Sequence, residues 1–133
     1  MKLKTVPILL ALAATLGLPA ARAQTWPSPK AIRIVVPYPA GGATDIATGA
    51  FANAMGKRLN QSLFVENKAG AGGSIGHEAV AVAAPDGYTF IVGTAGNFAV
   101  NPHLIKQTRY DVEKSFAPVC MMALAPVAMF ANA

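Results

Sequence analysis

The spacing of hydrophobic and polar positions changes several times along the chain, and each change marks an element. Lys2 and Lys4 are followed by an apolar run from Val6 to Leu18, and Ala21-Arg22-Ala23 then supplies a small-x-small site. A basic start, an apolar stretch and small residues before a cut form the layout of a secretory signal. The run falls short of the roughly 20 residues a helix needs to cross a bilayer. Residues 1–23 are therefore expected to be a signal peptide cleaved near Ala23. The chain would then be exported, with no stable membrane insertion once the signal is removed.

From Gln24 onward the pattern is that of one α/β unit. Gln24 to Ala31 holds two prolines and Trp26 and reads as an extended lead-in. Ile32 to Val36 is β-branched apart from Arg33, as suits a parallel strand covered on both faces. Pro37 to Ala43 cannot be helical, and Thr44 or Asp45 is placed to cap a helix. In that helix Ile46, Ala50, Met55 and Leu59, with Phe51 and Ala54, follow helical spacing. Lys57 and Arg58 suit its last turn, while Gly49 inside it costs about 1 kcal/mol relative to Ala.

Leu63 to Glu66 predicts a second strand, and Asn67 to Gly73 a glycine loop. Ser74 would cap a second helix, ended by Pro85. Pro85-Asp86-Gly87 is a turn in which proline fixes φ and glycine accepts a positive φ. Tyr88 to Val92 predicts a third strand and Gly93 to Asn97 another small-residue loop. Phe98 to Ile105 predicts a short helix broken near Pro102, and Asp111 to Phe116 a helical turn. Ala117 to Ala131, apolar almost throughout, predicts a fourth strand. The order β-α-β-α-β-α-β argues for crossover units on a parallel sheet.

Charge and composition narrow the functional classes. Lys2, Lys4 and Arg22 fall in the signal, so the formal charge of +5 drops to +2 without them. Apart from Lys57-Arg58 no basic run survives, which removes the footprint of a nucleic-acid binder. Cys120 is the only cysteine, so an intramolecular disulfide is impossible, and its apolar setting predicts a small buried residue. His77 and His103 lie far apart with no ligand at metal spacing, and both read as surface or cap residues. Gly70-Ala-Gly-Gly-Ser-Ile-Gly76 has Ile75 where G-x-G-x-x-G needs its third glycine, and no phosphate loop or G-x-S-x-G exists. No cofactor, metal or catalytic constellation is expected.

In an open α/β sheet, ligands bind beyond the carboxyl ends of the strands. Three loops leave those ends here, Tyr38 to Thr44, Lys68 to Ser74 and Gly93 to Asn97, all rich in small residues. Glycine brings main-chain N–H groups close to a ligand, and helix N-termini add partial positive charge. A small anion could be held there without an arginine. Gly72 and Gly73 are the second loop's candidates. Tyr38 offers an aromatic wall and a hydroxyl, and Asp45 could orient water or an amino group.

Several segments, taken together and in order, resemble the Bug family. They are Val36-Pro-Tyr-Pro-Ala-Gly-Gly-Ala-Thr-Asp45, Val65-Glu-Asn-Lys-Ala-Gly-Ala-Gly-Gly-Ser-Ile-Gly76, Ala84-Pro-Asp-Gly-Tyr-Thr89, Asn101-Pro102, Tyr110-Asp111 and Phe116-Ala-Pro-Val119. That family comprises the extracytoplasmic solute-binding receptors of tripartite tricarboxylate transporters. The resemblance implies a type II periplasmic-binding-protein fold and a periplasmic location. It also implies reversible capture of a small carboxylate or related solute, handed to membrane permease subunits without chemistry. Carried over, the first-loop ligand positions are Tyr38, Gly41, Gly42, Thr44 and Asp45, and those of the third loop are Thr94, Ala95 and Asn97.

Ala69 stands where the family commonly has proline, and Gly49 where it often has arginine. Family members are much longer, so residues 24–133 are expected to form the first lobe, with the second lobe largely absent, and this fragment alone is expected to bind weakly if at all. A sensory periplasmic binding protein and a secreted α/β enzyme are the alternative readings.

Overall fold

The computed structural model describes residues 26–27, 30–105, 108–126 and 128–132; the expected signal and its cleavage site lie outside them. Three strands form one parallel sheet in the order β2-β1-β3. They are β1 (Ile32–Val36), β2 (Leu63–Asn67) and β3 (Thr89–Ile91). Ile34 sits opposite Val65 on one side and Phe90 on the other. The ladders run past the strand ends through Arg33 N–H to Tyr88 O, Val92 N–H to Val35 O and Lys68 N–H to Val36 O.

The central strand explains the β-branched run. Ile32, Ile34 and Val36 are at most 4% exposed on one face, and Val35 is fully buried on the other. A strand covered on both faces has no room for polar alternation. Arg33 is the exception, and it reaches across the sheet to Glu66 on β2, Nη1 to Oε2 at 3.1 Å.

Helix α1 (Ala43–Leu59) returns the chain from β1 to β2 and packs on both. Its inner face differs from the expected one. Thr48 and Ala52 are the buried positions, whereas Ile46, Ala50 and Ala54 are exposed and Phe51, Met55 and Leu59 half-buried. Polar and apolar residues are spread around the helix, so spacing alone does not single out a face. The sheet selects small residues one turn apart, Thr48, Ala52 and Gly56, which let the helix lie close. A Cβ on Gly56 would stand 3.0 Å from Gln61 O. Gly49 faces open space. Asn60, in the left-handed conformation, ends the helix.

A 3-10 turn (Ala71–Gly73) leads into α2 (Ser74–Ala81), which packs on β3 and β1. After β3 the chain makes a single π turn (Gly96–Val100), then short helices α3 (Asn101–Leu104) and α4 (Val112–Ser115). The expected helix over Phe98–Ile105 is thus a π turn followed by one α turn. Asp111 caps α4, accepting from the N–H groups of Glu113 and Lys114.

No strand forms among the described residues of Ala117–Asn132, contrary to the expected fourth strand. Pro118 and Pro126 remove ladder donors from that run, and Val119, Met121, Leu124, Met129 and Phe130 are exposed. Cys120 is exposed with them rather than buried. Among the described residues no helix is long and apolar enough to cross a membrane.

Candidate functional site

Because the strands are parallel, their carboxyl ends share one rim, and the three small-residue loops meet there. The first follows β1, the second follows β2 and the third follows β3.

The first loop enters α1 with Gly42 at the cap position, without a side-chain cap, so neither Thr44 nor Asp45 caps the helix as expected. The first intrahelical bond is Ile46 N–H to Gly42 O, at 3.0 Å. The N–H groups of Ala43, Thr44 and Asp45 therefore have no partner within the helix. Asp45 turns back instead. Its Oδ2 accepts Gly41 N–H at 2.8 Å and its Oδ1 accepts Asn67 Nδ2 at 2.8 Å. The Gly41 N–H bond, and then that from Asn67, hold the Asp45 carboxyl below the usual carboxylate range. Gly41 needs its positive φ of 82° to make this turn. Asn67 Nδ2 also reaches Tyr38 O at 3.2 Å, tying β2 to the first loop.

A second cluster joins all three loops. Tyr38 OH donates to Asn97 Oδ1 at 2.6 Å and lies 3.0 Å from Thr94 Oγ1. Thr94 N–H and Oγ1 also donate to Asn97 Oδ1, at 3.1 and 3.0 Å. Asn97 Nδ2 donates to Gly72 O at 2.8 Å, and Asn101 Nδ2 reaches the same oxygen at 3.0 Å. Gly73 N–H is used internally, on Gly70 O at 2.9 Å. Of these residues Asn97 is buried, Tyr38 half-buried and Thr94 exposed. Ala95 is exposed beside Thr94.

Beneath this cluster lies His77, fully buried on α2 and not at the surface as its sequence setting suggests. His77 Nδ1 lies 2.9 Å from Gly73 O. A carbonyl only accepts, so the proton sits on Nδ1 and Nε2 carries a lone pair. Nε2 and the neighbouring Ser74 Oγ are buried without a hydrogen-bond partner; Ser74 does not cap α2, whose cap position is Gly73. Around His77 stand Tyr110, stacked at 5.3 Å, with Phe98 and Phe116 edge-on at 5.0 and 5.9 Å. Burial pushes His77 below its ordinary range despite the Gly73 bond. Tyr110 OH donates to Asn97 O at 3.0 Å, linking the aromatic layer to the rim.

The structure thus brings Tyr38, Gly72, Gly73, Thr94 and Asn97 into one network, and Gly41, Gly42, Thr44 and Asp45 into a second joined to it through Asn67. Asn67, Asn101 and His77 are not among the sequence candidates. An asparagine at a strand end is the only signal that Asn67 carries. At the rim Gly41, Gly42, Ala43, Thr94 and Ala95 are exposed. Two surface depressions, of about 330 and 490 Å3, lie elsewhere, one over Ile75, Glu78, Val82 and Arg109 and one beside Lys57 and Asn60.

The family model described as "Tripartite tricarboxylate transporter family receptor" matches residues 48–133. The chain belongs to this family. A UPF0065 protein of Bordetella bronchiseptica is 39% identical over 127 residues, 96% of this chain and 36% of its own length. The solved periplasmic binding protein BugD is 42% identical, with TM-score 0.64, over 68% of this chain and 30% of that one. MatC (Rpa3494) from Rhodopseudomonas palustris, solved with bound malate, is 38% identical, with TM-score 0.66, over 69% and 31%. Rpa4515 of R. palustris, solved with adipate, is 35% identical, with TM-score 0.63, over 67% and 29%. The chain therefore spans about a third of the length of the relatives it matches, and the sheet described above is the fold of a periplasmic binding protein over that third. The family is one of receptors and not of enzymes.

Proposed function

We propose that this chain carries part of the first lobe of a periplasmic receptor that captures a small carboxylate for a tripartite transporter. In this reading residues 1–23 direct export, and permease subunits in the membrane receive the solute. The observation that carries the reading is the single rim on which three glycine-rich loops meet, the first and third of them presenting neutral donors. The solute would lie over Tyr38, Gly41, Gly42, Thr44, Asp45, Thr94 and Ala95, on a floor shaped by Gly72, Gly73 and Asn97.

The donor set fits a carboxylate held without a salt bridge. Lys68, next to the rim, is paired with Glu66 at 3.2 Å. The first-turn N–H groups of α1 and the Thr94 hydroxyl supply neutral hydrogen bonds, helped by the helix dipole. Asn97 Oδ1 has three donors for two lone pairs, which leaves the exposed Thr94 hydroxyl the easiest to redirect toward a solute. Malate and adipate, the dicarboxylates bound to the two R. palustris relatives, support the same substrate class.

A thermal-shift screen of dicarboxylates, tricarboxylates, amino acids and aromatic acids tests this, on this chain and on any longer product of the same gene. A ligand present at a hundred times its Kd stabilises by about 2.7 kcal/mol. A melting temperature unmoved by every carboxylate in both forms would sink the proposal.

A further inference from the structure

We propose that Asn97 is the positioning residue of the rim: it holds the three loops in register and makes no contact with the solute. The inference rests on the reading of the rim as the binding surface and deepens it. Asn97 is 1% exposed, and each of its polar atoms is engaged within the protein. Its Oδ1 takes donors from Tyr38 on the first loop and from Thr94 on the third. Its Nδ2 holds Gly72 O on the second, its main-chain N–H bonds Thr94 O, and its carbonyl accepts Tyr110 OH from the aromatic layer below. Only the second Nδ2 hydrogen lacks a partner, and the burial of Asn97 keeps it from being offered to a ligand.

Two local features build this post. The π turn over Gly96–Val100 carries Asn97, and such turns favour functional sites. Gly73 lacks the Cβ that would stand 2.5 Å from Asn97 Nδ2, so the second loop can close onto the amide. Both hydroxyls that face the rim, Tyr38 and Thr94, then take their direction from one buried oxygen. Asn97 acts on the solute through them.

Amide hydrogen exchange on the full chain, with malate titration alongside, separates this role from general support. Asn97→Asp keeps an oxygen for Tyr38 and Thr94 but loses the donor to Gly72 O. The Gly73 amide should then exchange about ten-fold faster, while the Thr94 amide and those of β1 keep their protection. Asn97→Ala should release both loops, again sparing β1, and weaken malate about ten-fold. Equal acceleration of the β1 amides, or no change at Gly73 in Asn97→Asp, would overturn the assignment. If Asn97→Asp yields no soluble protein, Asn97→Ser, read by the same amides, decides. Failure of the wild-type chain to bind malate would count against the carboxylate reading alone, because the exchange pattern is measured without ligand.

Discussion

Replacing glycine by alanine should have opposite signs at two positions of this chain. Gly73 has φ +95° and ψ −6°, a conformation that costs a residue with a Cβ roughly 1–2 kcal/mol. Its Cβ would also stand 2.5 Å from Asn97 Nδ2 and 3.5 Å from Pro37 Cβ. Asn97 must then leave Gly72 O, and a buried amide without its acceptor costs about 1–3 kcal/mol. Against this, the stiffer unfolded chain returns about 0.4–1 kcal/mol. The net loss for Gly73→Ala is about 2–4 kcal/mol, or a melting temperature lower by about 10–20 °C for a domain of this size.

Gly49 sits mid-helix with nothing within 4 Å of a Cβ. Gly49→Ala should therefore gain about 0.5–1 kcal/mol. Urea titration followed by far-UV circular dichroism measures both, and an unchanged slope would show that each variant exposes the same surface on unfolding. A Gly73→Ala variant within about 0.5 kcal/mol of wild type would refute the Asn97–Gly73 packing from which the number is built.

Three further outcomes follow from the same geometry. His77 is held neutral by burial, so its folded pKa lies below its unfolded value of 6.5; stability is full above that value and falls as the pH drops from it toward the folded pKa, with a slope of up to about 1.4 kcal/mol per pH unit. His77→Phe, measured by urea titration at pH values on both sides of 6.5, should flatten this dependence, and an unaltered profile would contradict the assignment. Asp45→Ala should lower the melting temperature by freeing Gly41 N–H and Asn67 at the entry to α1; wild-type stability in that variant would show that the turn holds without them. Cys120 should react with a maleimide under native conditions as fast as in urea, since it is exposed, and strong native protection measured by mass spectrometry would place it in a buried setting instead.

The sheet and the loops are legible in the sequence because their signals are local. A β-branched run, a glycine cluster and Pro85-Asp86-Gly87 each dictate backbone geometry within a few residues. The site's wiring is not legible, because it depends on what meets across the rim. Asp45 looks like a cap in isolation, yet Asn67, 22 residues away, shares its carboxylate. His77 looks polar and superficial until Phe98, Tyr110 and Phe116 close around it. Spacing picks the wrong inner face for α1 because alanine and glycine pack by closeness rather than by hydrophobicity. Residues 117–131 read as a strand from apolarity alone, which cannot say whether a neighbouring edge exists to pair with.

The chain has one tryptophan, and its place has a practical meaning. Trp26 Nε1 donates to Gly87 O at 3.0 Å, on the turn that precedes β3. That turn lies at the opposite end of the sheet from the loops that follow the strands. Indole emission is therefore a built-in reporter for the seating of Trp26 on that turn. A solute settling among Tyr38 and Thr94 should leave that fluorescence dark to its arrival, so titrations need a second optical label near the loops or a calorimeter.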